Sequence, residues 1–336
     1  MTTPTQPLPI QLSTWKRFRS HLEALGVHIL AGIVPVLPRG LVLRIGKAVG
    51  WLAYFALPEA RKLAHANLDM VYSDTLPARE KSRIARVSCQ NFATTLLAFF
   101  WSPRLNQQSI KDIIEVDEIG LQLVRNLQAQ GRPIILITLH YGDWELLGLV
   151  TGFLGIQMTI PTRTMRNTAV EKVFARLRAL TGHRIVPRRH AVGKLLKALQ
   201  HRECIALLID QHVPVALGGI WCKFFGVPAL TTPATAQLAL HSGAAIIGSV
   251  VLPLPDGRYR ITYGPIIDTT QTGNKSADIL AITQRCLDFC EGVIRARPEY
   301  WLWSYKRWKN RPHLELGAFP FYSSYLPPSH NQPPSM

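Results

Sequence analysis

Acidic residues are scarce in this chain, and their scarcity leaves a strong positive charge. The 336 residues include 21 Asp and Glu against 38 Lys and Arg, for a formal net charge of +17. Residues 163–197 hold ten bases and one acid, and residues 306–311 hold four bases and no acid. Such one-sided clusters attract nucleic acid, an anionic membrane or a phosphorylated substrate. The alternative is a solvated basic surface that only keeps the protein in solution.

Cysteines are also few. Five occur, and none forms a CxxC pair. Cys286 and Cys290 are four residues apart, a spacing that suits one face of a helix better than a disulfide or a zinc site. We expect reduced thiols, mostly in apolar surroundings, in a cytosolic compartment.

Several enzyme signatures are missing. The chain has no GxSxG nucleophile elbow, no GxGxxG dinucleotide motif and no HExxH zinc motif. Residues 40–47 have one residue too many for a phosphate-binding P-loop and lack the Ser or Thr that follows it. We therefore predict neither a metal site nor another cofactor.

No apolar run is long enough to be an evident transmembrane helix. A span needs roughly 20 apolar residues, whereas residues 24–38 form an uncharged run of fifteen that Pro35 interrupts. A second apolar run, residues 41–57, carries Arg44 and Lys47. The region could be a signal peptide, but no convincing cleavage site follows it. A single tilted transmembrane helix is a second possibility. A basic amphipathic anchor lying in the membrane plane fits Arg44 and Lys47 better. The structural alternative is a buried helical hairpin of a soluble domain.

The pattern along the chain predicts three regions. Residues 1–57 are predicted to comprise a disordered start, over residues 1–12, and N-terminal membrane-anchor helices. Residues 58–312 combine helical spacing with continuous apolar runs of strand length at residues 133–139, 204–209 and 244–252, whereas residues 258–262 alternate like an edge strand. This alternation predicts an α/β fold with a mixed or parallel sheet flanked by helices. Residues 313–336, rich in Pro and Ser, are predicted to be a flexible tail.

The strongest local signal is HYGDWE at residues 140–145, where a buried strand ends and a helix begins. Ligands bind open α/β sheets at this edge. His140 and Glu145 can face each other across the turn, so that the carboxylate fixes the imidazole tautomer and stabilises the imidazolium. His140 poised in this way can take a proton from an alcohol attacking a thioester, with Glu145 as its candidate partner.

Other readings of this motif compete. A single His at a strand end is more often structural than catalytic. Glu145 could interact only with the helix N-terminus, and Asp143 could be the N-cap or a rival orienting carboxylate. His140, Asp143 and Glu145 could also bind a metal ion together, although no further His cluster supports such a site.

The HYGDWE segment resembles the His-four residues-acid motif of the bacterial lipid A late acyltransferases, the lauroyl and myristoyl transferase family. Four further segments resemble this family in order, namely PTRTMRN (161–167), IDQHVP (209–214), WCKFFGVPALTT (221–232) and PEYWLWSYKRWKNRP (298–312). The resemblance covers about residues 20–312. The chain departs from the family where Thr164 replaces a Pro, where His212 and Val213 replace small or acidic residues, and where Cys222 and Lys223 replace Val-Pro. These departures leave the identity of the acceptor and of the acyl chain undetermined.

The resemblance implies a lysophospholipid-acyltransferase-like fold and a set of substrate-binding residues, which are Arg163, Arg166, Asn167, Asp210 and Gln211. Arginines at these positions would grip phosphate groups. Asp210 would position a sugar hydroxyl or an arginine, or it is only a structural carboxylate at a strand end.

The same resemblance implies an acyl carrier protein as donor, an anionic glycolipid acceptor on the pathway to lipid A and lipopolysaccharide, and a location at the cytoplasmic face of the bacterial inner membrane. A related acyltransferase for another glycolipid or aminolipid, or a non-catalytic membrane-associated binding protein, stays an alternative. The basic clusters would also suit a nucleic-acid binder, but no nucleic-acid module is recognisable, and we predict no nucleic-acid partner.

The C-terminal aromatic run has two interpretations. Trp301, Tyr305 and Trp308 fall on one face if the run is helical, between the bases of residues 306–311. The run would then contact a lipid head group or the membrane interface. Alternatively, its rings pack in the core and its bases are solvated.

Overall fold

The computed structural model describes residues 14–312 and 319–327. Helices come first along the chain: α1 (Thr14–Ile33), α2 (Arg39–Ala56), α3 (Pro58–Tyr72), α4 (Ala78–Trp101) and α5 (Gln107–Ile113). The start of the chain that the sequence predicts to be disordered lies outside the described residues.

Strands and helices alternate after α5. In chain order they are β1 (Ile114–Val116), α6 (Glu118–Ala129), β2 (Ile134–Thr138), α7 (Trp144–Phe153), β3 (Met158–Thr162), α8 (Thr168–Arg178), β4 (Arg184–Pro187), α9 (Ala191–Gln200) and β5 (Cys204–Leu208). The remaining elements are β6 (Ile220–Phe224), β7 (Val227–Thr231), α10 (Ala234–Ser242), β8 (Ala245–Pro253), β9 (Tyr259–Ile267), α11 (Lys275–Ala296), β10 (Asn310–Arg311) and β11 (Ser324–Tyr325).

The main sheet has seven strands in the order β1-β9-β8-β2-β5-β3-β4. The five strands from β8 to β4 are parallel, whereas β9 runs antiparallel to β8 and parallel to β1. Side chains of β2 pack alternately into two apolar clusters, Ile135 and Ile137 into one, Ile134 and Leu136 into the other. Helices therefore cover both faces, which explains why the strand is apolar throughout. The predicted α/β fold with a mixed, mainly parallel sheet is confirmed.

The prediction of an edge strand at residues 258–262 is wrong. These residues lie in β9, and β1 pairs outside it, with Ile114 opposite Tyr259 and Val116 opposite Ile261. The alternation has a different cause, because Tyr259 and Ile261 point into an apolar cluster while Arg260 between them is exposed. A strand with one covered face alternates whether or not it lies at an edge.

Helix α2 lies close against α4 because two glycines form the contact. A Cβ atom at Gly46 would lie 2.6 Å from the Thr94 Cα, and one at Gly50 would lie 2.3 Å from the Gln90 Cα. No side chain fits at either position without a shift of the backbone. Helix α2 is therefore attached to the domain along one face.

The opposite faces of α1 and α2 carry large exposed apolar side chains. They are Trp15, Phe18, Leu22, Leu25, Ile29 and Ile33 from α1, and Leu41, Ile45, Val49, Trp51, Leu52 and Phe55 from α2. The two helices are therefore not a buried hairpin. Within residues 14–312 and 319–327, no single helix is long and apolar enough to cross a membrane, although α2 and residues 58–75 together reach that length across a bend of 89°.

Part of the predicted tail packs on the domain. In residues 319–327, β11 pairs with β10, the Tyr322 hydroxyl donates to the Asn67 Oδ1, and Ser323 is buried. These contacts attach residues 319–327 to the domain, and the flexibility of the tail stays a prediction. The other residues of the tail lie outside the described residues.

Candidate active site

The turn after β2 holds His140 in a defined orientation. Gly142 has a φ of 57°, and a Cβ there would lie 1.8 Å from the Val251 carbonyl oxygen. Only glycine fits this turn without strain. The Gly142 N–H donates to the Tyr300 oxygen at 3.1 Å, and the Gly142 oxygen accepts from Asn91 Nδ2 at 2.8 Å and Thr95 Oγ1 at 3.0 Å.

The hydrogen-bond partner of the His140 ring is Asp210. Because β2 and β5 are parallel neighbours, the residues that follow them meet at the same sheet edge. Asp210 Oδ1 lies 2.8 Å from His140 Nδ1, and Asp210 Oδ2 accepts the His140 backbone N–H at 2.9 Å. An ionised carboxylate only accepts, so the ring proton lies on Nδ1 and Nε2 keeps its free lone pair.

This pair is largely withdrawn from solvent. The exposed fraction of the side chain is 20% for His140 and 3% for Asp210. Burial by itself lowers the pKa of His140, but the charge of Asp210 and its hydrogen bond outweigh burial and raise the pKa above its usual value. Burial favours the neutral form of Asp210, yet the contacts with His140 and Trp301 leave its pKa below the usual value. The folded protein thus favours an ionised Asp210 beneath a basic imidazole.

The environment of His140 Nε2 is partly open. Gln211 Nε2 lies 3.3 Å from it. The Trp144 ring lies 5.3 Å from the imidazole, and Phe92 from α4 stacks on Trp144 at 6.0 Å. Both aromatic rings are only partly buried. A hydroxyl that reaches Nε2 would therefore find a basic nitrogen beside an apolar wall.

The sequence had predicted Glu145 as the partner of His140, but Glu145 forms its hydrogen bonds with Arg178 instead. Its oxygens accept from Arg178, at 3.0 Å from Nε and 2.5 Å from Nη2. Arg178 belongs to α8, and it also lies over the rings of Phe99 and Phe174. A side chain in the first turn of α7 points towards this helix rather than back over the strand end. Glu145 still acts on His140 through its charge, which raises the pKa of the ring.

Asp143 caps α7 rather than orienting the imidazole. Its Oδ1 accepts the Leu146 N–H at 3.1 Å. Burial raises the pKa of Asp143 to about 7. The capping role is one of the alternatives that the sequence leaves open. In the described part of the chain, no group of three or more His, Cys, Asp or Glu side chains could hold a metal ion.

The other predicted binding residues differ in their surroundings. Arg163 and Arg166 are exposed between β3 and α8. Asn167 is the N-cap of α8, where its Oδ1 accepts from Ala169 N at 3.1 Å, and its Nδ2 donates to Ser20 of α1 at 2.7 Å. The Asn167 amide is thus engaged within the protein, and a role for these three residues towards substrate stays a prediction.

The C-terminal aromatic run forms core rather than a membrane contact. Trp301, Trp303, Trp308 and Arg307 are almost fully buried, whereas Lys306 and Lys309 are exposed. Trp301 Nε1 donates to Asp210 Oδ2 at 2.9 Å, and Leu302 N donates to the His140 oxygen at 3.1 Å. After a short 3-10 helix at Pro298–Tyr300 the run passes through turns rather than a continuous helix, so helical spacing does not describe which side chains share a face. Sequence reasoning missed its contact with the site, because the only local signal was a dense group of tryptophans.

A strand-end His–Asp pair of this kind can accept a proton from a hydroxyl. A family profile described as bacterial lipid A biosynthesis acyltransferase matches residues 14–310. The chain belongs to this family and is an acyl-transferring enzyme.

Curated relatives agree with the family. The lipid A biosynthesis lauroyltransferase of Escherichia coli (strain K12) is 27% identical over 314 residues, covering 88% of this chain and 93% of that protein. The lipid A biosynthesis palmitoleoyltransferase of the same organism is 25% identical over 292 residues, covering 84% and 90%. The phosphatidylinositol mannoside acyltransferase of Mycobacterium tuberculosis (strain ATCC 25618 / H37Rv) is 23% identical over 301 residues, covering 82% and 92%.

Proposed function

We propose that this enzyme transfers a fatty acyl chain from acyl carrier protein to a hydroxyl of a lipid A precursor, with His140 as general base. The observation that carries the proposal is the contact of His140 Nδ1 with Asp210 Oδ1 at 2.8 Å, which leaves Nε2 free to accept a proton. Asp210 replaces Glu145 as the orienting carboxylate in this scheme.

The reaction uses Nε2 twice. Nε2 takes the proton of the acceptor hydroxyl while the oxygen attacks the thioester carbonyl carbon, and Asp210 stabilises the imidazolium that forms. When the tetrahedral intermediate collapses, the C–S bond breaks and the imidazolium returns the proton to the carrier thiolate. Gln211 exchanges its contact with Nε2 for one with the incoming hydroxyl. Because the base must be neutral, activity rises with pH through the raised pKa of His140.

The N-terminal helices are proposed to lie in the plane of the inner membrane, at its cytoplasmic face. The close contact of α2 with α4 through Gly46 and Gly50 holds one face of α2 on the domain. The opposite face is apolar, and Arg44 and Lys47 are exposed on the same helix. Apolar side chains buried among acyl chains, with bases at the head groups, suit an amphipathic anchor on an anionic membrane.

The basic surface between β3 and α9 is proposed to bind the anionic partners. Its exposed bases are Arg163, Arg166, Lys172, Arg176, Arg184, Arg188, Arg189, Lys194 and Lys197. Such a field attracts an acidic carrier protein and the phosphates of a glycolipid. Arg163 and Arg166, at the end of β3, are the bases assigned to the acceptor. Binding to nucleic acid would appear as a salt-sensitive gel shift with labelled oligonucleotides, and we expect no such shift.

A different acceptor is the second candidate. The relative from Mycobacterium tuberculosis is named for phosphatidylinositol mannoside, so a sequence of this type can belong to an enzyme named for another glycolipid. Lipid analysis of cells that lack the protein would separate the two acceptors. A non-catalytic binding protein on the same fold would make no acylated product.

The decisive test is a mass-spectrometric assay of the purified protein with a series of acyl carrier protein thioesters and a tetra-acylated lipid A precursor. We expect the acceptor to gain one acyl mass with wild type and with His201→Ala, an exposed histidine on another part of the surface. The gain should be lost in His140→Ala, because general-base catalysis contributes roughly a hundred- to ten-thousand-fold. No gain with any donor would refute the lipid A acceptor, and equal rates in His140→Ala would refute the base.

A further inference from the structure

The Asp210 carboxylate has a third donor that the reaction scheme above does not use. Trp301 Nε1 lies 2.9 Å from Asp210 Oδ2, the same oxygen that accepts the His140 backbone N–H. Asp210 therefore has three N–H donors on two oxygens. The Trp301 ring is itself fixed edge-on against Trp303 at 4.7 Å and against Phe224 at 5.7 Å.

Backbone contacts fix Trp301 relative to His140. The Leu302 N–H donates to the His140 oxygen at 3.1 Å, and the Ser88 hydroxyl donates to the Trp301 oxygen at 2.5 Å. An isolated β-bridge joins Tyr141 to Trp301. The indole N–H thus has little freedom to move away from the carboxylate.

Arg307 lies behind this arrangement as a fully buried cation. Its Nη1 donates to the Leu230 oxygen at 2.7 Å, its Nη2 donates to Thr231 Oγ1, and its guanidinium lies 5.1 Å from the Phe224 ring centre. The Nε has no partner, and none of the ion pairs among residues 14–312 and 319–327 includes Arg307. A buried charge without a counter-ion is costly, usually by several kcal/mol. Such a cation is expected where its positive charge stabilises a negative charge nearby.

Arg307 and Asp210 are oppositely charged groups that share buried neighbours. Burial lowers the pKa of Arg307, and the negative charge of Asp210 is the largest influence that opposes burial. Phe224 lies between them. Its ring centre is 5.1 Å from the Arg307 guanidinium and 5.7 Å from the ring of Trp301, which donates to Asp210. Leu230 connects them a second way, because its oxygen accepts from Arg307 and from the Val213 N–H, three residues after Asp210.

We propose that Trp301 and Arg307 are positioning residues, whose indole N–H and buried positive charge hold the Asp210 carboxylate against His140. This inference rests on the proposed role of His140. It makes the C-terminal run part of the catalytic apparatus.

The other ionisable groups near the pair leave Arg307 as its uncompensated positive neighbour. Glu145 and Arg178 form their own ion pair and act on the pKa of His140 in opposite directions. Burial raises the pKa of Cys290 in α11 and of Tyr305 in the C-terminal run, so both stay neutral. The remaining groups facing Arg307 are Cys222 and Tyr322, whose pKa values burial also raises, and His212, whose pKa burial lowers.

The test is an NMR titration of His140 in the full-length, ¹⁵N-histidine-labelled protein in detergent micelles, with the signal assigned by its loss in His140→Gln. We expect the midpoint to rise in Arg307→Met, because a buried cation facing the Asp210 carboxylate is removed. We expect a smaller rise in Trp301→Phe, because Asp210 loses a donor, and little change in Arg307→Lys. The acid limb of kcat/KM should move by the same amounts.

Two matched controls separate this role from packing. Trp221→Phe alters another buried tryptophan, whose indole N–H has no partner in the described part of the chain, and Lys306→Met removes an exposed cation next to Arg307. Both should leave the titration of His140 unchanged. A wild-type midpoint in both Trp301→Phe and Arg307→Met would overturn the proposal, whatever their rates. If Arg307→Met does not fold, an unshifted Trp301→Phe overturns it alone. The titration needs no substrate, so it stands apart from a failure to acylate any acceptor.

Discussion

Replacing Asp210 with asparagine would keep the size of the side chain and reverse the proton arrangement of His140. Asp210 Oδ2 accepts two N–H donors, from the His140 backbone and from Trp301, while Oδ1 faces His140 Nδ1. The asparagine oxygen satisfies both donors only if it takes the Oδ2 position. Its NH₂ group then points at Nδ1, which must become an acceptor. The ring proton moves to Nε2, the atom that has to take the proton of the hydroxyl.

The expected loss follows from this tautomer change. In Ser-His-Asp triads the same substitution lowers kcat about 10⁴-fold, and we expect roughly 10³- to 10⁴-fold here, or about 4–5.5 kcal/mol in the barrier. Stability should change less, by about 1–2 kcal/mol, because every hydrogen bond keeps a partner. The measurement is single-turnover acyl transfer under saturating donor, with urea unfolding in parallel.

Glu145→Gln is the matched comparison. It also exchanges a carboxylate for an amide near His140, but Glu145 bonds Arg178 rather than the ring. We expect a loss well below that of Asp210→Asn. An Asp210→Asn protein within threefold of wild type would refute the reasoning, and a larger loss in Glu145→Gln would restore Glu145 as the partner.

Three further predictions concern the turn, acid stability and the membrane face. Gly142→Ala should lower the free energy of unfolding by about 2 kcal/mol or more, because its φ is 57° and the new Cβ meets the Val251 oxygen; an unchanged Tm would contradict this. Burial lowers the pKa of His183, so the unfolded chain binds the extra proton and stability falls as pH drops below 6.5. His183→Gln should therefore lose less stability than wild type between pH 7.5 and pH 5.5 in urea titrations; an equal loss would count against it. Exchanging Leu52 and Phe55 of α2 for serine should weaken binding to anionic vesicles roughly tenfold, whereas Ile119→Ser, an exposed apolar residue of α6, should not; equal binding by all proteins would exclude the α2 face.

Much of the fold could be predicted because its signals are local. The runs that become β2, β5 and β8 are apolar throughout, since both faces of the sheet are covered. Their boundaries agree with the predicted ones within one or two residues. The short strand β1 and the hairpin of β6 and β7 went unrecognised, because their residues carry no comparable apolar run.

The partner of His140 shows where local reasoning ends. Glu145 is five residues away in the chain and was the natural choice, whereas Asp210 is seventy residues away. Both His140 and Asp210 follow buried strands, so the sequence did contain the signal that each lies at a strand end. What it lacked was the strand order, which makes β2 and β5 neighbours.

The sequence by itself determined the α/β class, the strand-end position of His140, the positive charge and the resemblance to an acyltransferase family, because composition, periodicity and ordered motifs are properties of neighbouring residues. Only the tertiary structure decided that Asp210 holds the imidazole, that Glu145 pairs with Arg178 and that Trp301 and Arg307 are buried beneath the site. These facts depend on which strands pair and on how an irregular segment near the C-terminus packs against the sheet edge. Contacts between distant parts of the chain arise from the packing of whole elements, and no local pattern encodes them.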